Sequence, residues 1–280
     1  MNAIFLTSRL EILIKYIIIA LVQGVAEILP ISSSGHMIIA QELLGIQTND
    51  LSLEIFLHFG SLIAIFVFFR KKIWAIIRDF FLYLFKKKEE AKGNYKLAWY
   101  IVIATIPAAI AGLFLEDIIG KHLKSLWVVG VFLLITSALL YLSTKAKREK
   151  ELKDLTWKNA LMIGLFQCLG LFPGISRSGS TLVGGASQKV KQTDAADFAF
   201  ILALPIMLGS AVLSMNDIST ALSNSDLLIP YLVGFVVTLI TTYFTISLFF
   251  SFIKKKKISI FSIYCLCVGL LIIVLDLTIV

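Results

Sequence analysis

At 280 residues, 58% of them hydrophobic and only 16% charged, with a mean hydropathy of +0.91, the chain is far too apolar for a soluble globular domain. Its net charge of +8 would suit a nucleic-acid partner, but the basic residues are confined to short stretches between apolar runs, which argues for membrane topology instead. The three cysteines, Cys168, Cys265 and Cys267, all fall in apolar runs and read as packing residues, since three thiols cannot pair fully.

In chain order, Met1–Lys15 reads as a surface helix or as part of the first apolar segment, 17–45, which PISSSGH interrupts at 30–36. A span over 51–69 ends at Arg70, and IWAIIRDFFLYLF (73–85), lying between two basic clusters, reads as a cytoplasmic interfacial helix. The runs 97–115 and 125–144 carry no charge and approach the ~20 residues that cross a hydrocarbon core. A second interrupted segment, 159–190, contains PGISRSGST at 173–181, and spans over 198–216, 227–250 and 258–279 follow. That makes six complete spans, three in each half.

Charge sets their direction. Residues 70–96 carry nine Lys or Arg, 145–158 carry six and 254–257 carry four, together 19 of the 26 basic residues. Such loops stay cytoplasmic. The loops 42–54 and 217–226 contain Asp and Glu but no Lys or Arg, and are placed outside. A full crossing at either interrupted segment would break this assignment, so both read as re-entrant hairpins that turn at their serine clusters.

The two hairpins also resemble each other. Gln23, Ile31, Ser32, Ser34 and Gly35 match Gln167, Ile175, Ser176, Ser178 and Gly179 at a constant offset of 144 residues. One hairpin plus three spans is an odd number of crossings, so the second copy must be inverted. The expected fold is an all-α integral membrane protein. A single polytopic domain over 1–280 is built from two inverted-topology repeats, about 1–144 and about 145–280. Each repeat is a re-entrant helical hairpin plus three transmembrane helices.

Irregular backbone at membrane depth is tolerated only where it is buried in protein or lines a wet cavity. Each serine cluster precedes a helical run, and helix N-termini present unpaired N–H groups with positive partial charge. Two such ends meeting from opposite halves make an anion site, with Gly35, Gly174 and Gly179 allowing close backbone approach. Arg177, the only Arg or Lys between Lys158 and Lys189, suits a phosphate through its planar fork, although a structural pairing with Glu27 would also explain it. Glu27, the only acid between Glu11 and Glu42, is a candidate base or a ligand for a hard cation such as Mg²⁺. Ser33 is a candidate nucleophile, and His36, three residues on, a candidate proton shuttle.

At these residues the chain closely resembles the bacterial undecaprenyl-diphosphate phosphatases, the family named for bacitracin resistance. The motifs that carry the resemblance are QGVAE with PISSSGH, and PGISRSGST. The resemblance implies a hydrolase that removes the terminal phosphate of undecaprenyl diphosphate, regenerating the lipid carrier for envelope polymers. It also implies the inverted-repeat fold, a divalent cation (Mg²⁺ or Ca²⁺), and a site toward the outer face of the bacterial cytoplasmic membrane. The family's serine, histidine and arginine fall on Ser33, His36 and Arg177, and its motif glutamate falls on Glu27. Gln23 stands at the first motif position, leaving Glu27 as the one carboxylate for a metal. Ser34 stands where many relatives carry threonine. The expected substrate-binding set is Gln23, Ser32, Ser34, Gly35, Gly174, Ser176, Ser178 and Thr181. The expected partners are the polyprenyl diphosphate, the bilayer and, as one option, a second copy in a homodimer, with no nucleic acid. A polyprenyl-phosphate transporter or flippase, alone or combined with the phosphatase, is the rival reading, because the same architecture serves secondary transport.

Overall fold

A computed structural model describes residues 2–46, 52–215 and 225–279. Among these the chain is helical throughout, apart from connecting turns and a single bridge between Lys150 and Val190. The acidic connections within 42–54 and 217–226 fall largely on 47–51 and 216–224, outside the described residues.

The first half comprises α1 (Asn2–Ala26), α2 (Ser33–Leu44), α3 (Ser52–Lys86), α4 (Lys92–His122) and α5 (Leu126–Thr144). The second comprises α6 (Trp157–Leu169), α7 (Arg177–Ser187), α8 (Gln192–Leu213), α9 (Ser225–Lys254) and α10 (Ser259–Ile279). Six of them, α3, α4, α5, α8, α9 and α10, are long and apolar enough to cross a membrane. They coincide with the six spans expected from the sequence, three in each half, and the protein is a multi-pass membrane protein.

One boundary differs from expectation. Residues 73–85 do not form a separate interfacial helix but continue α3, which at 35 residues is about 52 Å long. Between Ser61 and Lys92 there is no Gly or Pro, so nothing in the backbone breaks the helix where the basic cluster begins. At the other end, the first fourteen described residues belong to α1, the second of the two readings offered for them.

Packing pairs the halves. Ser137 and Ser262 each donate a hydroxyl hydrogen bond to the other's backbone carbonyl, at 2.7 and 2.8 Å, and seven residues away Gly130 lies against Gly269. The register therefore makes α5 and α10 antiparallel. Helices α3 and α8 are antiparallel too, joined by Lys72 to Asp197 (2.6 Å) and by the rings of Phe69 and Phe200. Helix α1 packs on α9, and α6 on α4. The breaks between α1 and α2 and between α6 and α7 are held inside this frame.

Candidate active site

Both breaks end in the same local device. Ser32 precedes α2 and its Oγ accepts from the Gly35 N–H at 3.2 Å; Ser176 precedes α7 and its Oγ accepts from the Gly179 N–H at 3.0 Å. Each is the side-chain cap expected of serine at a helix start. The second hydroxyl of each cluster sits beside the first, Ser32 to Ser34 at 3.4 Å and Ser176 to Ser178 at 3.2 Å.

The turns interlock. The Gly174 N–H donates to Ser32 Oγ at 3.1 Å, and a Cβ on Gly35 would stand 3.0 Å from Gly174 Cα. Gly174 has φ +104°, and a Cβ there would meet the Val129 carbonyl at 2.6 Å, so both the conformation and the space require glycine. Ser32 itself has φ +74°, an orientation that costs an L-residue on the order of 1–2 kcal/mol, and its doubly used hydroxyl offsets this. Thr136 on α5 completes the second turn, donating to the Gly174 carbonyl (2.9 Å) and accepting from the Ser176 N–H (3.1 Å).

Glu27 is where the turns meet. Its carboxylate is buried, 4% exposed, at the end of the α1 break. One oxygen, Oε1, accepts from the Arg177 guanidinium of the opposite turn. The other, Oε2, accepts from Ser33 Oγ at 2.7 Å and Gln23 Nε2 at 3.0 Å, and faces His58 Nε2 of α3 at 3.3 Å. Such an array holds one carboxylate oxygen against a serine hydroxyl while a guanidinium holds the other. Ser33 and Arg177 are the first residues of α2 and α7, so each lies at the positive end of its helix.

The remaining sequence-nominated residues divide. His36 does not share the Ser33 hydroxyl: its Nδ1 is 2.8 Å from the Ser32 carbonyl, and its Nε2 is 2.8 Å from the hydroxyl of Tyr264, on which the ring stacks. Ser178 Oγ bonds the Leu29 carbonyl at 3.4 Å, and Thr181 Oγ1 bonds the Arg177 carbonyl at 3.0 Å, so both satisfy backbone of the interlocked turns.

A family model described as "Bacitracin resistance protein BacA" matches residues 16–271. The chain belongs to that family. Among curated relatives, Undecaprenyl-diphosphatase 2 of Bacillus thuringiensis (strain Al Hakam) is 38% identical over 259 residues, covering 92% of this chain and 96% of the relative. Undecaprenyl-diphosphatase of Oceanobacillus iheyensis is 38% identical over 264 residues, covering 94% and 96%. Undecaprenyl-diphosphatase of Methanosphaera stadtmanae is 37% identical over 274 residues, covering 94% and 98%.

Three residues at the site of this BacA-family chain went unnoticed in the sequence. His58, Thr136 and Tyr264 sit in ordinary apolar spans, on α3, α5 and α10, remote from either motif. A polar side chain within a span was the signal available for each, and it does not say which turn that span passes.

Proposed function

We propose that the protein is a membrane phosphatase that hydrolyses undecaprenyl diphosphate to undecaprenyl phosphate and inorganic phosphate, returning the lipid carrier to cell-wall synthesis in the cytoplasmic membrane. The observation that carries this reading is the 2.7 Å hydrogen bond from the Ser33 hydroxyl to Glu27, at a helix N-terminus facing Arg177. The matching names of relatives across most of both chains support it.

Arg177 and the N–H groups opening α2 and α7 bind the diphosphate, with Arg177 turning from Glu27 toward phosphate oxygens. Glu27 accepts the Ser33 proton as Oγ forms a bond to the terminal phosphorus. The bond from that phosphorus to the bridging oxygen breaks, and the lipid monophosphate leaves with the electron pair. Water then attacks the phosphoserine phosphorus, Glu27 returns its proton to the departing Ser33 oxygen, and inorganic phosphate leaves carrying the water's oxygen; His36, braced by Tyr264, relays the water's proton. Phosphoryl transfer asks chiefly for positioning and charge neutralisation, which this arrangement supplies.

The residues also fit a divalent cation, Mg²⁺ or Ca²⁺, shared with the substrate. Glu27 supplies a carboxylate, Ser33 a hydroxyl, and Gln23 a fully buried Oε1 that has no hydrogen-bond partner among the described residues. These are hard oxygen donors, and such cations are commonly held by one or two carboxylates plus substrate phosphates. When bound, the cation neutralises charge on the diphosphate. Gln23, Glu27 and Ser33 are the residues that would hold it; among the described residues no group of three or more His, Cys, Asp or Glu could hold one alone.

The fold we propose for this chemistry is one polytopic domain of two inverted repeats, with re-entrant hairpins α1–α2 and α6–α7 and the site toward the outer membrane face. Supporting it are the antiparallel pairing of counterpart helices, α5 with α10 and α3 with α8, and the reciprocity of α1 on α9 with α6 on α4. Helices α2, α6 and α7, at 12, 13 and 11 residues, are each about 17–20 Å long, short of a ~30 Å core. Polyprenyl-phosphate transport would need the anion cradle but not the Ser33–Glu27 contact, which favours hydrolysis.

The test is phosphate release from undecaprenyl diphosphate by purified protein in detergent with Mg²⁺, beside Arg177→Ala. Turnover that the substitution abolishes supports the reading. Folded protein that binds the substrate without releasing phosphate would sink it.

A further inference from the structure

We infer that His58 is a positioning residue, holding the Glu27 carboxylate in the orientation that receives the Ser33 proton. The inference rests on the phosphatase reading and goes beyond the residues of the two serine motifs, since His58 belongs to neither. It lies on the second turn of α3, half-buried, and reaches Glu27 from a different helix than Gln23 of α1 or Arg177 of α7.

The ring is aimed. Nδ1 stands 2.8 Å from the Glu54 carbonyl one helical turn earlier, and a carbonyl can only accept, so Nδ1 carries hydrogen and the ring plane is set. A carboxylate oxygen likewise only accepts, so Nε2 carries hydrogen too and directs it at Glu27 Oε2, 3.3 Å away, the same oxygen that takes the Ser33 hydroxyl at 2.7 Å. A carboxylate rotates about its terminal torsion unless its oxygens are pinned. In the free site Arg177 pins Oε1 while Gln23 and His58 flank Oε2. Once a phosphate draws Arg177 away, Gln23 and His58 are the described side chains that stay beside Oε2 and keep it on Ser33. His58 therefore matters most in the reacting complex, and it touches the carboxylate rather than the phosphate.

The order of groups is serine, carboxylate, histidine, in contrast to a triad in which histidine takes the serine proton. Here the imidazole acts through the carboxylate, as outer partners of functional groups commonly do.

Two variants separate this role from packing. His58→Phe keeps an aromatic ring and loses the donor; His58→Gln loses the ring and keeps an N–H of similar reach. Steady-state phosphate release, with kcat normalised to monodisperse protein, should fall about 10- to 100-fold for His58→Phe with KM within about twofold, and return to within about threefold of wild type for His58→Gln. Equal kcat in His58→Phe and wild type overturns the inference. So does a rise in KM at unchanged kcat, or an equal loss in both variants. A wild-type protein that releases no phosphate overturns the phosphatase reading itself and takes this inference with it, whereas active wild type with an indifferent His58→Phe removes this inference alone.

Discussion

At the start of α2, Ser32 caps Gly35 and Ser33 follows as the first helical residue; at the start of α7, 144 residues later, Ser176 caps Gly179 and Arg177 takes the place of Ser33. The scaffolds match down to the hydroxyl pairs, yet the chemistry is divided. Gln23 has its counterpart in Gln167, but Glu27 has Leu171. The consequence is visible in the amides. Gln23 Nε2 donates to Glu27, whereas neither the oxygen nor the nitrogen of the Gln167 side chain, in a residue 1% exposed, finds a partner among the described residues. The two turns share a cap and a close backbone contact, while the first holds the acid and hydroxyl and the second the guanidinium. On the proposed mechanism, neither turn alone contains the base, the nucleophile and the phosphate clamp.

This contrast can be attacked from its strongest point downward. Ser33→Ala should reduce phosphate release by at least about 10³-fold, the scale of losing a nucleophile, with substrate still bound in an equilibrium assay; a loss below tenfold would make Ser33 a binding residue only. Gly174→Ala strikes the shared frame rather than the chemistry. With φ +104° and a carbonyl 2.6 Å from the new Cβ, it should cost about 2–4 kcal/mol, read as a large drop in thermal midpoint in detergent. An unchanged midpoint would mean that the turns do not interlock there.

The two glutamines give the sharpest asymmetry. Gln23→Leu should cost activity about tenfold by freeing Glu27, while Gln167→Leu should be neutral or stabilise by up to about 2 kcal/mol, because it removes a buried amide that lacks partners among the described residues. Equal behaviour of the pair in activity and thermal unfolding would contradict the division of roles.

The smallest expected effect lies away from both turns, where the chain enters the second half. Hydrogen bonds from Lys153 and Lys191 hold the Glu151 carboxyl down at about 2. A depressed folded value stabilises above the ordinary carboxylate range and is lost as pH falls through the folded value. The thermal midpoint of Glu151→Gln should therefore lie slightly below wild type at pH 7, and the gap should close between pH 4.5 and about 2. Because the carboxylate is solvent-exposed, a large gap would be unexpected.

Much of the fold could be read from residues alone because the membrane enforces it. Long apolar runs, most of them charge-free, together with the basic clusters located all six spans, and the serine, glycine and proline clusters located both breaks. Ser33, Glu27 and Arg177 were legible because polar groups in apolar surroundings demand a reason. What could not be read was how the spans pass the turns. Nothing in EIFLHFG says that His58 will reach Glu27, and nothing near Tyr264 says that it will take His36 away from Ser33, since both depend on helix packing across the halves. The basic cluster at 70–72 suggested a helix end, but an unbroken helix former carried α3 past it.

The most direct measurement is a double-mutant cycle on phosphate release across the two turns, using Glu27→Gln, Arg177→Ala and both together. If the turns form one site through this pair, each single change should cost about 10²- to 10³-fold and the double should be little worse than either, a strongly non-additive result. Fully multiplicative losses would mean that Glu27 and Arg177 act independently, and would contradict a single site shared between the two turns.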